Sequence, residues 1–200
     1  MKKTAIIISF FLSILLLISC VCPHPRPMTN IPPEPQLPIA PKTVSPLPEI
    51  VTMDEFTLIG KEKDFTQETM KQIPQMWMDF MGQEDQIQNM ASDTEAWGVS
   101  YNMDYSGSSM AFTYFVGAEV TSTDFVPEGM IVHVVPASKY AKFTHYGSLE
   151  DLSITYYYIY NKWLPQSGYD TGDGDELELY DERFNPEGIN SEMFIFTPIK

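Results

Sequence analysis

The stretch Gly174–Phe184, "GDELELYDERF", alternates polar and apolar residues as a strand does, with a carboxylate at its centre. Side chains along a strand point to alternate faces, so Leu177 and Leu179 share one face while Glu178 and Tyr180 share the other. Either the Glu178 face is wet and the strand is an ordinary half-buried one, or it lines a hollow where a negative charge is set for a ligand. Which of these holds decides both how the layers stack and what they are for.

The order of elements leading to this strand occurs twice. "IVTMDEFTLIGKEKDF" (50–65) is a strand region interrupted by Asp54 and Glu55. Met70, Ile73, Trp77, Phe80 and Met81 then recur at steps of three or four, the spacing of a helix. Pro74 either opens the regular helix or kinks it. "AWGVSYNMD" (96–104) and "MAFTYFVGAEV" (110–120) follow as strands joined by the turn-forming "YSGSS".

The pattern restarts at "MIVHVVPASKYAKFTHYG" (130–147), broken by Pro136. Ser148 in "SLED" is placed to cap a second helix, with Asp151 three residues on, close to a capping box. Leu149, Leu152, Tyr156, Ile159 or Tyr160, and Trp163 form its apolar stripe, and Pro165 is expected to stop it. "DELELYDERF" (175–184) and "SEMFIFTPI" (191–199) complete the chain. This order predicts an α+β domain of duplicated strand-helix-strand-strand units forming antiparallel sheet, with helices on one face. The helix-free face is where Glu178 is expected.

Composition divides the 200 residues into three. "MKK" and the apolar run "AIIISFFLSILLLIS" suit a signal peptide better than a spanning helix, which needs roughly 20 apolar residues. The run ends in "LISC", similar to the lipobox of bacterial lipoproteins, which implies cleavage of 1–19 and a lipid on Cys20; an ordinary secretory signal is the alternative. Residues 20–49 form a proline-rich tether, since ten of the 16 prolines lie between Pro23 and Pro48. A segment of that kind stays extended and polyproline-like, and serves as a spacer or as a ligand for a proline-binding module. Residues 50–200 are the domain, with 25 acidic and 8 basic side chains, all three tryptophans and all eleven tyrosines. Its net negative charge repels phosphate backbones and argues against a nucleic-acid partner. Both cysteines precede it, so it folds without a disulfide or a Cys-based metal site.

Several fragments, "YFVGAEV", "MIVHVVPASKYAKFTHYGSLEDL", "YYYIYNKWLPQSGY", "LELYDERFNPEG" and "SEMFIFTPIK", resemble the GyrI-like family, the AraC- or MerR-type effector-binding domain. The likeness covers essentially all of 50–200. It implies tandem repeats about a pseudo-two-fold axis and a small-molecule pocket between them, often for lipophilic cations. In multidrug-responsive members a buried glutamate on the penultimate strand meets the ligand's charge among aromatic rings. The matching residue is Glu178, with Tyr180 on the same face. A desolvated carboxylate lacks a partner that a cation supplies, and aromatic faces add roughly 0.5–2 kcal/mol per ring. Where the family often has proline before an acidic residue in the preceding loop, this chain has Gly174 before Asp175.

Strand parity offers further lining residues. Trp97, Val99 and Tyr101 share one face, and Phe112, Tyr114 and Val116 share one face of the next strand; core packing beneath the helices is the alternative for each. Trp77 and Trp163 are expected in the core, and Glu119, a second candidate acid, is expected at the surface beside the connection between the repeats. His24, His133 and His145 show no metal-ligand spacing, no cofactor motif occurs, and "DTGDGDE" departs from the EF-hand pattern. The expected function is a membrane-anchored, extracytoplasmic protein of the bacterial envelope that senses or sequesters a small hydrophobic, cationic compound. Two alternatives stand beside it. Some family relatives hydrolyse electrophiles, and Glu178 as general base with Tyr180 or Tyr101 would suit that chemistry. A protein-interaction lipoprotein with a decayed pocket is the other.

Overall fold

The computed structural model describes residues 42–106, 109–185 and 190–200. The expected signal peptide, Cys20 and most of the tether lie outside the described residues.

Each repeat contributes four strands and one helical segment. The first holds β1 (Glu49–Met53), β2 (Phe56–Thr66), α1 (Ile73–Met81), β3 (Ala96–Asp104) and β4 (Ala111–Glu119). The second holds β5 (Ile131–Val135), β6 (Ser138–Tyr146), α2 (Leu152–Tyr158), α3 (Leu164–Ser167), β7 (Glu176–Tyr180) and β8 (Glu192–Pro198). All eight strands form one antiparallel sheet in the order β1-β6-β8-β7-β3-β4-β2-β5. Exchanging the two repeats reverses this order onto itself. A pseudo-two-fold axis therefore passes between β3 and β7, and each repeat lends its first strand to the other's edge.

Those lent strands make the sheet curl. Met53 ends β1 at one edge and Phe56 begins β2 near the other, with only Asp54 and Glu55 between. Three Cα–Cα steps span at most about 11 Å, so the two edges must come together. Val135 and Ser138, around Pro136, make the same crossing in the second repeat. Prolines and acidic residues at these crossings end the strand pairing where the chain must change edge.

The curl gives the sheet an inside and an outside. Leu58, Trp97, Val99, Phe115, Val135, Tyr140, Leu177, Phe194 and Phe196 fill the inside. On the outside, α1 packs Met76, Trp77 and Phe80 onto Ile59, Phe65, Phe112, Tyr114 and Val116. Each of those large side chains contributes about 1.5–3 kcal/mol of burial. The second helical segment packs Tyr158, Ile159 and Trp163 onto Ala141, Phe143, Met193 and Ile195. Helix α1 thus covers β2 and β4, the second segment covers β6 and β8, and the central strands β3 and β7 floor a groove between them.

Three expectations are corrected. Pro165 does not stop the second helix: it sits in α3, and the chain leaves only at Gly168, whose φ of 78° is left-handed. A π turn, Ile159–Trp163, lies directly ahead and widens the carbonyl ladder where the proline ring would clash. The chain is also attached ahead of Ile50. Val44 is buried and bridges His145, the Tyr158 hydroxyl donates to Pro46 O (2.9 Å), and Ser45 N donates to Thr144 O (2.9 Å), so the last part of the expected tether lies along β6. Ser148 caps through Glu150 N rather than through a box with Asp151. Pro74, by contrast, opens α1 from its first turn, where a missing N–H costs nothing.

Candidate ligand-binding site

Glu178 is not on a helix-free face. It points outward into the groove between the helices and is only 8 % exposed. The reason is the register of the central pair, where Ala96 stands opposite Tyr180, Gly98 opposite Glu178, and Ser100 opposite Glu176. Strand β3 gives the groove floor its three smallest side chains, and β7 gives it two carboxylates and a phenol. The sequence showed which residues share a face; it did not show that both helices would stand clear of the middle strands.

Three phenols converge on the Glu178 carboxylate. Tyr114 on β4 donates to Oε2 (3.0 Å), Tyr180 donates to the same oxygen (2.9 Å), and Tyr156 on α2 donates to Oε1 (2.7 Å). Trp77 on α1 donates its Nε1–H to the Tyr114 oxygen (3.0 Å), and its ring meets Tyr180 at 4.8 Å. Tyr180 packs against the cores under both helices and meets Phe184 edge-on at 4.8 Å. Glu178 is thus held by β4, α2 and its own strand together.

The electrostatics follow from this packing. Burial, then the neighbouring Glu178 charge, pushes the phenols of Tyr114, Tyr156 and Tyr180 well above the usual tyrosine range, so they stay donors. Glu176, two residues back on the same face, accepts from the Tyr160 hydroxyl of the π turn. Burial pushes its carboxyl up to about 7, opposed by the Tyr160 hydrogen bond and reinforced by Glu178. Among the described residues neither glutamate belongs to an ion pair. Phenols solvate these charges with dipoles and cancel none of them. An anion so held attracts a cation through a low-dielectric medium, at a strength water would not allow.

Of the residues the sequence singled out, Glu178, Tyr180 and Tyr114 come together, and Phe112 lies beside them on the outer face, packed on Phe65 (6.1 Å). Trp97 and Tyr101 do not: they project into the inside of the curl, where Trp97 packs on Phe56 (5.0 Å) and Tyr101 on His133 (4.5 Å). Trp163 is core, as expected, while Trp77 is core with its N–H in the groove. Sequence reasoning missed Tyr156, Tyr160, Glu176 and Gly98. Tyr156 and Tyr160 were visible on the helical stripe, but periodicity reports the apolar ring and is silent about the hydroxyl. Glu176 was visible by parity alone. His145, expected to be structural, is buried between Thr155 Oγ1 (2.8 Å) and Ser148 O (3.0 Å), where it ties the last turn of β6 to α2.

Comparison with known proteins bears on this arrangement. Residues 49–199 match the family model Cass2, integron-associated effector binding protein. The chain is 34 % identical over 151 residues to the transcriptional regulator BrlR of Pseudomonas aeruginosa, a match covering 75 % of this chain and 54 % of that one. The chain therefore spans about half the length of this curated relative. Among solved structures, an integron cassette protein of Vibrio cholerae superposes with a TM-score of 0.57 at 15 % identity, covering 80 % of this chain and 97 % of that one. SAV2435, solved bound to tetraphenylphosphonium, superposes with a TM-score of 0.60 at 15 % identity, covering 76 % and 93 %. These two likenesses establish the fold, and the family model extends over nearly the whole described domain. The chain carries a small-molecule effector-binding domain and belongs to the Cass2 family of GyrI-like, integron-associated effector-binding proteins.

Proposed function

We propose that the groove over β3 and β7 binds small hydrophobic cations, with Glu178 as the counter-charge and Tyr114, Tyr156, Tyr180 and Trp77 as its aromatic walls. The observation that carries this is one buried carboxylate held by three phenols, with no cationic side chain as partner among the described residues. A buried anion solvated only by dipoles is costly, and an incoming cation recovers that cost. Faces of the same tyrosines add cation–π attraction of about 0.5–2 kcal/mol per ring. That SAV2435 was solved with a lipophilic phosphonium supports the choice of ligand class.

The apolar run closed by "LISC" supports a lipid on Cys20, which would hold the domain on the outer side of a bacterial membrane by a proline-rich stalk. The role is then sensing or sequestration of such compounds at the envelope. Binding is tested by a thermal-shift panel of lipophilic cations. The melting temperature of the protein rises with tetraphenylphosphonium, and Glu178→Gln abolishes the rise. A flat panel, or a rise that survives the substitution, contradicts the proposal.

A further inference from the structure

The groove holds a second carboxylate that the single-cation account leaves without a task. Glu176 lies on the same face of β7 as Glu178, and two residues along a strand place their Cα atoms about 6.6 Å apart. Around it stand Tyr160 from the π turn, whose hydroxyl donates to it, and Tyr156 from α2, which feels both carboxylates. Thr197 is next in register on β8, since Leu177 pairs with Phe196. Its hydroxyl is wholly buried beside the Tyr160 phenol. It gives the Tyr160 phenol an alternative acceptor if something else takes over Glu176.

From this geometry we infer that Glu176, Tyr160 and Thr197 form a second cation subsite, so that the groove prefers flat aromatic dications whose charges match the Glu176–Glu178 spacing. This rests on the proposal that Glu178 binds a first cation. When a second positive centre meets Glu176, Tyr160 releases the carboxylate and turns to Thr197, so no polar group loses its partner. The mutual repulsion of the two carboxylates, present in the free protein, is relieved at the same time. The π turn suits this exchange because its widened ladder lets Tyr160 move without unwinding α2 or α3.

The test compares two cations of the same shape, 1,1′-dimethyl-4,4′-bipyridinium with two charges and N-methyl-4-phenylpyridinium with one. The ring nitrogens of the first lie at about the Cα spacing of Glu176 and Glu178 along β7. Titration calorimetry at pH 8 is expected to show the dication bound at least about tenfold more tightly. Glu176→Gln reduces the two affinities to near equality while monocation binding persists, and Thr197→Val lowers the dication preference with Glu176 intact. Glu178→Gln weakens both ligands. Equal affinities in the parent protein, or a preference that survives Glu176→Gln, overturn the second subsite and leave the single-cation proposal standing. Failure of both ligands to bind overturns the two together.

Discussion

Gly98 stands directly opposite Glu178 across the central strand pair, and the absent side chain of one is the space the other's carboxylate uses. A Cβ at Gly98 would lie 2.3 Å from the Tyr114 hydroxyl and 3.0 Å from Glu178 Oε2. The pseudo-two-fold axis exchanges these two positions, so the repeats differ where the site is built: one supplies an anion, the other supplies room. Gly98→Ala is therefore expected to push the Tyr114 phenol off the carboxylate. Stability should fall by about 1–3 kcal/mol, as for other overpacked sites, and cation affinity should fall with it. Urea unfolding and a binding titration check both, and unchanged values would show that the close approach is not required.

The three phenols should not contribute equally. Tyr156→Phe removes the donor to Oε1, whereas Tyr114→Phe and Tyr180→Phe each remove one of two donors to Oε2. A hydrogen bond to a charged group is worth about 1.5–3 kcal/mol, so each change should destabilise the protein, with Tyr156→Phe the most costly. In a Glu178→Gln background the same changes should cost less, because the charge they serve is gone. A double-mutant cycle measures that coupling, and strict additivity would contradict the shared site.

Glu176 makes stability fall as pH rises through neutrality. Burial raises its folded carboxyl to about 7, above the ordinary glutamate value. A carboxyl raised on folding stabilises fully below its unfolded value, and that contribution is lost as pH rises through the folded one. The step from the ordinary 4.5 to about 7, at about 1.4 kcal/mol per pH unit, amounts to about 3 kcal/mol lost between pH 4.5 and 8. Denaturation across that window should show the decline, and Glu176→Gln should flatten it.

The phenols around Glu178 give an alkaline signature. Burial and the Glu178 charge hold Tyr114, Tyr156 and Tyr180 above the usual range, so part of the protein's eleven tyrosines should resist ionisation at about pH 11 and titrate only on unfolding. Absorbance at the phenolate band follows this directly. A single transition of all eleven near the ordinary value would contradict the packing.

Anchoring has its own check. Fatty-acid labelling in a bacterial host should mark the protein, and Cys20→Ala should remove both the label and its recovery in the membrane fraction. Label that survives the change would move the lipid elsewhere.

The element order was legible because the strands alternate cleanly and both helices carry apolar stripes; β3 and the crossings at Asp54–Glu55 and Pro136 fall where the sequence put them. Parity correctly grouped Trp97 with Tyr101 and Phe112 with Tyr114. It could not say which group faced the helices, since alternation fixes a shared face and leaves its direction to tertiary packing. The first group therefore went to the wrong side of the sheet. Pro165 misled because a helix-breaking rule assumes a regular ladder, and the π turn ahead of it is irregular. Gly98 left no signal at all, because its role is to be small beside a residue 80 positions away.

The most direct test of the central claim is a crystal structure of the protein with tetraphenylphosphonium. The phosphorus is expected over the β3–β7 groove, within about 6 Å of the Tyr156 or Tyr180 ring and nearer to Glu178 than to any other carboxylate. A cation seated instead on the inner face beside Trp97 and Tyr101, or at a surface carboxylate with the groove still closed by its phenols, would contradict it.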